Sequence, residues 1–307
     1  MQASLERSIV KVLAYFDLFN YPVSEEEILF FLDQPVKRNE LMPVLQQLTD
    51  AGLLYRLQDY YSLQNDAGLV VRRLKGNRHA QSLLIKAYKI SRFLYRFPFV
   101  RGVGISGSLS KKFADEDADI DYFIITKSNR LWIARTLMHV YKKLTFLTGR
   151  QHWYCMNYYV DEDALQVQEQ NIFTATELIT LLPVCGNGTM DKFFRANKWA
   201  VCYFPNYINK RNDQPKQNRK YISKNIAEWL FNNRLGNKLD NILMKITSRR
   251  WKKKELQHRL NMRGLPVGIC TDKHYSKPNP SYFQQNVLER YHHKLREVEK
   301  FLATPVE

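Results

Sequence analysis

Two aspartates, Asp119 and Asp121, are set into the apolar stretch ADIDYFIIT. Alternate side chains of a strand point to the same face, so both carboxylates are predicted to project together while Ile120 points to the opposite, apolar side. Two carboxylates this close repel each other, and a divalent cation removes that repulsion. Magnesium favours one or two carboxylate ligands when substrate phosphates complete its shell. The pair therefore predicts a clamp for Mg²⁺ or Mn²⁺ that serves a phosphate-bearing substrate.

A Gly-Ser pair, Gly107 and Ser108, follows the preceding apolar stretch VGIS. Glycine allows the backbone to approach a phosphate closely, and the serine hydroxyl with neighbouring N–H groups can donate to phosphate oxygens. Lys111 adds positive charge three residues further on. These three residues are predicted to bind phosphate groups of a substrate.

The segment GSLSKKFADEDADID resembles the signature of the DNA polymerase beta-like nucleotidyltransferase superfamily, in which a Gly-Ser turn precedes an Asp-x-Asp strand. Ser108 and Asp119 are separated by eleven positions, a spacing similar to that of the family. Lys111 takes the position of the basic residue in the family's turn, and Lys112 replaces its second glycine.

The resemblance implies transfer of a nucleoside monophosphate from an NTP to an acceptor hydroxyl, with release of pyrophosphate. Asp119 and Asp121 would be the catalytic metal ligands. Gly107 and Ser108 would hold phosphates, with Lys111 as an electrostatic helper. The acceptor, whether protein, RNA or small molecule, is not identified by these motifs.

The resemblance also implies a third carboxylate from a later strand. The candidate strand HWYCMNYYV contains no Asp or Glu; Asn157 lies within it and Asp161 follows it directly. Either of these could complete the site, two carboxylates could suffice, or the site could be inactive. The last alternative predicts a nucleotide sensor or a DNA-associated regulator. Glu177, on a predicted helix, could face the site, although a solvent-facing position is the default interpretation.

Residues 1–66 are predicted to form a winged helix-turn-helix-like domain. Three helical segments are followed by two short strands around a turn at Gln58-Asp59. Ser24 and Glu27 predict a capping box at the start of the second helix. The third helix carries a nearly neutral set of polar side chains, so DNA contact and docking both remain open as the role of this domain.

The remainder is predicted to form a nucleotidyltransferase-like domain over 67–205 and a helical C-terminal region over 206–307. Strand, helix and strand around the aspartates predict a mixed sheet with flanking helices, so the fold class is α+β. The polar stretch 209–220, NKRNDQPKQNRK, is predicted to be a linker or an exposed loop.

The net charge of the 307 residues is +17, which favours anionic partners such as nucleic acid, nucleotides or a membrane surface. The segment SRRWKKK, 248–254, could hold nucleic-acid phosphates or form a solvated helix face. The four cysteines have no CxxC spacing, which argues against a zinc site and predicts reduced thiols in a cytoplasmic protein. No apolar run approaches about 18 residues, so no membrane insertion is expected.

Overall fold

A mixed sheet flanked by helices is the centre of the molecule, as predicted for an α+β chain. The computed structural model describes residues 2–207, 221–260, 266, 268–279 and 282–303. The predicted linker at 209–220 lies outside these residues.

The N-terminal part combines three helices with a small antiparallel sheet. The helices are α1 (Gln2–Asp17), α2 (Glu25–Phe31) and α3 (Arg38–Asp50), and the strands are β1 (Val23–Ser24), β2 (Tyr55–Leu57) and β3 (Tyr60–Ser62), in the spatial order β1-β3-β2. Ser24 begins α2 as predicted: the Glu27 N–H donates to Ser24 Oγ at 3.3 Å, and the Ser24 N–H donates to the Glu27 carboxylate at 2.9 Å. The predicted capping box is therefore confirmed.

Six strands form the central sheet. They are β4 (Val100–Ile105), β5 (Asp121–Thr126), β6 (Cys155–Asp161), β7 (Leu182–Cys185), β8 (Ile269–Thr271) and β9 (Tyr275–Pro278), in the order β7-β4-β5-β6-β9-β8. The pairing of β5 with β6 is parallel, and the neighbouring pairings are antiparallel.

The C-terminal region, predicted to be helical over 206–307, contains α10, α11 and α12 but also supplies β8 and β9 to this sheet, which the sequence did not predict. These segments are short and lack a clean alternation of apolar and polar residues. Their strand conformation depends on pairing with β6, a tertiary interaction that a local sequence pattern does not reveal.

Helices cover both faces of the sheet. They are α4 (Gly68–Leu94), α5 (Gly107–Ser110), α6 (Leu131–Thr145), α7 (Ile172–Thr180), α8 (Asn187–Ala196), α9 (Trp199–Tyr203), α10 (Ile222–Phe231), α11 (Arg234–Leu256) and α12 (Gln284–Ala303). Within the described residues, none of these helices is both long enough and apolar enough to span a membrane.

Strand β5 separates two apolar cores. Tyr122 and Ile124 pack into a core shared with α4 and α6. Phe123 and Ile125 pack on the other face, in a core that includes α7, α8, α12 and the apolar side chains of the N-terminal helices. The N-terminal elements therefore pack against the sheet through a shared core.

A buried arginine on α4 also connects these two parts. Arg73 is 5% exposed and donates to Glu27 at 2.8 Å and to the carbonyl of Pro22. Its guanidinium lies over the rings of Tyr21 and Tyr60, 3.9 and 4.6 Å from their centroids. A charge removed from water needs such partners, so this contact fixes the position of α2 relative to α4.

A buried histidine on α6 predicts a dependence of stability on pH. Burial, reinforced by the nearby cations Arg135 and Lys142, lowers the pKa of His139 well below its usual value. Its Nε2 is buried and has no hydrogen-bond partner among the described residues. Below about pH 6.5 the unfolded chain takes up a proton that the folded chain does not, so stability is retained above that pH and lost as the pH falls.

We therefore expect the free energy of unfolding to decrease by up to about 1.4 kcal/mol per pH unit below about pH 6.5 through this group. The variant His139→Leu should lack this component, whereas His293→Gln, at an exposed histidine, should retain it. Denaturant unfolding at neutral and at mildly acidic pH measures the difference. An equal pH slope in His139→Leu and wild type would contradict the assignment.

Candidate functional site

The end of β4 and the start of β5 bring the Gly-Ser pair to the aspartates. The two strands are antiparallel neighbours, with Ile105 opposite Tyr122. The Ser106 N–H donates to the Asp121 carbonyl at 3.0 Å, which continues the pairing past the end of β4. Gly107 therefore lies directly beside Asp121, across the loop that joins the two strands.

Gly107 is needed at this place for two reasons. Its φ of +69° lies in the left-handed region, which L side chains rarely adopt. A Cβ at this position would lie 2.7 Å from Oδ2 of Asp121, closer than van der Waals contact allows. The backbone and the carboxylate are thus packed together without room for a side chain. Ser108 follows on the exposed side of the short helix α5.

Asp119 precedes β5, so the prediction that both aspartates lie within the strand was wrong for Asp119. The segment is held instead by two backbone hydrogen bonds, from the Ile120 N–H to the His152 carbonyl at 3.1 Å and from the Cys155 N–H to the Ile120 carbonyl at 3.2 Å. The predicted alternation is nevertheless present: Ile120 is fully buried, and Asp119 and Asp121 are half-buried.

His152 contacts Asp119 and was not identified from the sequence. Its Nδ1 lies 2.8 Å from Oδ1 of Asp119, and about half of the side chain is exposed. The available signal was its position as the first residue of the stretch HWYCMNYYV, just before the observed β6. Because β6 runs parallel to β5, a residue before β6 lies near a residue before β5.

Asn157 occupies a bulge in β6 beside Asp121. Tyr122 pairs with Met156 and Phe123 with Tyr158, so Asn157 is the extra residue between them. Its Nδ2 donates to Oδ1 of Asp121 at 3.0 Å. Asn157, one of the two predicted candidates for the third ligand, is therefore at the aspartate site.

The structure does not bring Asp161, the other candidate, to this site. Asp161 pairs with Thr126 at the opposite end of β5, five residues from Asp121 and thus about 16 Å along the strand. It is fully buried, and its carboxylate accepts hydrogen bonds from the backbone N–H groups of Asn129 and Asp163, both at 3.0 Å.

Asp161 belongs to a separate cluster with Asp163 and His274, whose candidate ligand atoms lie within 4.8 Å of one another. Nδ1 of His274 lies 2.9 Å from Oδ2 of Asp161, and the Asp161 N–H donates to the His274 carbonyl at 2.9 Å. Donors of the chain already satisfy both oxygens of Asp161. We interpret this cluster as a polar connection between β6 and the segment that precedes β9.

Glu177 faces the site from α7, so its default interpretation as a solvent-facing residue was wrong. One carboxylate oxygen lies 2.6 Å from Nζ of Lys111, and the other accepts a hydrogen bond from the Gly107 N–H at 3.3 Å. Lys111 also donates to the Gly107 carbonyl at 3.2 Å. The helix is aligned by Asn171, whose side chain accepts from the Thr174 N–H at 3.0 Å.

The Glu177 carboxylate thus engages the two groups that were predicted to bind phosphate, the N–H of Gly107 and the ammonium of Lys111. A triphosphate would have to compete with it. We expect Glu177→Gln to strengthen NTP binding by about fivefold, because loss of a partly shielded ion pair worth about 1 kcal/mol frees Lys111 for phosphate. Fluorescence titration with a labelled NTP measures this change.

The matched control is Glu169→Gln, which removes a carboxylate that pairs with Lys277 elsewhere. It should leave NTP affinity unchanged. Weaker binding in Glu177→Gln would instead identify the carboxylate as part of the nucleotide site.

Cys155 lies at the start of β6 but is not suited to act as a nucleophile. Burial, reinforced by the Asp121 carboxylate, raises the pKa of its thiol to about 12. The thiol donates to Oδ1 of Asn157 at 3.3 Å, which leaves Nδ2 of Asn157 facing Asp121. The chemistry available at this corner is therefore that of carboxylates, one amide, one imidazole and one ammonium group.

The donor set fits a divalent cation. Asp119 and Asp121 flank the buried Ile120 and contact His152 and Asn157 respectively, and the close approach of Gly107 leaves no side chain between the backbone and Asp121. Such hard oxygen donors are those that Mg²⁺ and Mn²⁺ prefer. Asp119, Asp121 and, after rotation of its amide, Asn157 are the residues that would hold it.

Comparison of this chain with models of protein families, with curated proteins and with solved structures gave no match.

Proposed function

We propose that this protein is a metal-dependent nucleotidyltransferase that transfers a nucleoside monophosphate from an NTP to an acceptor hydroxyl and releases pyrophosphate. The observation that carries the proposal is the packing of Gly107 against the carboxylate of Asp121, with Lys111 donating to the Gly107 carbonyl. In this proposal the turn would bind phosphate and the aspartate pair a cation, as the resemblance to the DNA polymerase beta-like superfamily implies.

Each side chain has a role in this proposal. Asp119 and Asp121 would hold Mg²⁺ or Mn²⁺, which when bound supplies charge that stabilises an in-line displacement at phosphorus. His152 would orient the Asp119 carboxylate through the contact of 2.8 Å. Lys111, released from Glu177, would pair with the phosphates, and the Gly107 N–H and Ser108 hydroxyl would donate to their oxygens.

The N-terminal elements support a winged-helix interpretation with a docking role. Their chain order is helix, strand, two helices and two strands, with the strands forming one small sheet. Arg38, the basic residue that begins α3, is paired with Glu25 at 2.5 Å, which reduces the positive charge available to a DNA groove. The shared core with the central sheet favours packing onto the catalytic part over independent DNA binding.

A second candidate function is a nucleotide sensor without catalysis. It is favoured by Asn157, an amide at the place where the family resemblance implies a third carboxylate, and by the amide nitrogen that faces Asp121. The ion pair between Lys111 and Glu177 also favours a sensor, because a carboxylate of the chain itself occupies the ammonium group that would bind phosphate.

One experiment distinguishes the transferase from the sensor. The purified full chain is incubated with each α-labelled NTP, with Mg²⁺ or Mn²⁺ and with a cell extract. The proposal expects label to appear in protein, RNA or a small molecule, and to be lost in the Asp119→Asn/Asp121→Asn double variant. Metal-dependent NTP binding without any transfer would favour the sensor. Absence of both would overturn the assignment of the site.

A further inference from the structure

Helix α10 presents its charged residues to the protein and its apolar residues to solvent. Lys224 is 8% exposed and donates to the carbonyls of Tyr95 and Val100 at 2.8 and 2.6 Å. Glu228 accepts from the Phe99 N–H at 2.7 Å and pairs with Arg101 at 2.7 Å. These contacts fix the rotation of the helix, which is the reverse of that of an ordinary surface helix.

The outward face of α10 consists of four large apolar side chains one or two turns apart. Ile222, Ile226, Trp229 and Leu230 are 78, 56, 78 and 51% exposed. Scattered exposed apolar residues are normal on a protein surface, but a contiguous set with a tryptophan indicates an interaction surface.

Helix α11 follows α10 after two residues, contacts it, and also exposes a mixture of apolar and basic residues. Leu235, Ile242 and Ile246 are exposed on one side of the helix. Lys238, Lys245 and Arg249 are exposed at positions that fall within the same arc of about 100° at 3.6 residues per turn. We call these ten residues of α10 and α11 the α10–α11 surface.

The exposed charged side chains of α10 and α11 are all basic. Seven basic side chains of α11 are exposed: Arg234, Lys238, Lys245, Arg249, Arg250, Lys252 and Lys253. The acids of the two helices are engaged elsewhere: Glu228 pairs with Arg101, Asp240 is buried, and Glu255 accepts from Asn279 and Tyr282. A partner that binds this surface must therefore present both negative charge and an apolar region.

We propose that the α10–α11 surface docks the protein onto an anionic lipid membrane. Exposed tryptophan, isoleucine and leucine would enter the boundary between headgroups and acyl chains, and the lysines and arginines would contact lipid phosphates. Long basic side chains interspersed with apolar ones suit this boundary, because their stems lie in the apolar layer while their charges reach the headgroups. The docking is peripheral and is independent of the proposed nucleotide chemistry.

A second copy of the chain is a poorer occupant. A two-fold contact brings the same surface onto itself, so the basic residues of α11 would face one another. The polar sequence before α10, NKRNDQPKQNRK, has no apolar residues that could cover the face.

The test is co-sedimentation of the full chain with vesicles of phosphatidylcholine alone or with about one-third phosphatidylglycerol. We expect binding to the anionic vesicles that is at least about tenfold stronger and that weakens with salt. The double variant Ile226→Ser/Trp229→Ser should reduce this binding by about tenfold or more. The triple variant Lys238→Gln/Lys245→Gln/Arg249→Gln should remove most of the preference for anionic lipid.

The matched control is Ile85→Ser, at an isoleucine of α4 that is 62% exposed and outside the surface. It should bind as the wild type does. Absence of binding to anionic vesicles, or equal binding by Ile226→Ser/Trp229→Ser, overturns the proposal. It is also overturned if the wild type ignores vesicles but forms a dimer that this double variant abolishes in sedimentation analysis, or binds a synthetic acidic amphipathic peptide instead.

Discussion

Replacing Asp121 with asparagine is expected to reduce the proposed nucleotide transfer by about a thousandfold or more. A carboxylate that holds an activating cation contributes several kcal/mol to stabilisation of the transition state. Asparagine keeps the size of the side chain but loses the charge, so the fold should be retained. Asp119→Asn should have an effect of the same order, because the two side chains would share one cation. Release of labelled pyrophosphate measures the loss of transfer. NTP binding with and without the metal measures the loss of cation binding.

Asp117→Asn is the control for this experiment. It removes a carboxylate from the exposed part of the same acidic loop, two residues before Asp119. Transfer in this variant should stay close to that of the wild type. If Asp121→Asn retained transfer or metal-dependent binding at the level of Asp117→Asn, the clamp would be misassigned.

Replacing Gly107 with alanine is the second large effect that we expect. The new Cβ would lie 2.7 Å from Asp121 Oδ2 and would displace the carboxylate. A shift of about 1 Å in a catalytic group can cost about a hundredfold in rate, so we expect a loss of that order. Alanine at a φ of +69° also costs about 1 to 2 kcal/mol in stability.

Gly52→Ala separates these two contributions. Gly52 has the same φ of +69°, but a Cβ there would meet nothing within 4 Å. This variant should lose a similar amount of stability from backbone strain and should retain NTP binding and transfer. Thermal unfolding and the transfer assay, performed on both variants, provide the comparison. Equal activity of Gly107→Ala and wild type would show that the contact with Asp121 has no functional role.

Burial and contacts that depend on residues close in sequence could be predicted from the sequence. Ile120 between two aspartates predicted one buried and two partly exposed side chains, and the structure has them so. The proximity of Gly107 to Asp121 follows from two apolar strands joined by a loop, which favours antiparallel pairing. The mixed sheet with flanking helices was predicted from the strand, helix and strand around the aspartates.

Contacts that depend on packing between distant elements could not be predicted. Glu177 lies on a helix whose rotation is set by the apolar core under α7, and its reach toward Lys111 has no local signal. His152 and Asn157 depend on the register of β6 against β5, and a single bulge changes which residue faces Asp121. Asp161 was a candidate because it follows a predicted strand. Because β6 runs parallel to β5, Asp161 lies beside Thr126, at the end of β5 opposite to Asp121.

The pairing of β6 with β9 sets a condition on how the chain can fold. The two strands are separated by more than a hundred residues, and Tyr159 and Val160 pair with Ser276 and Tyr275. Until residues 275–278 have been synthesised, β6 is an unpaired edge rich in tyrosine and valine, of the kind that recruits strands from other chains. A ribosome must therefore complete most of the polypeptide before this edge is protected, and a fragment that ends at residue 205 is expected to expose the edge even though it contains every residue of the candidate site.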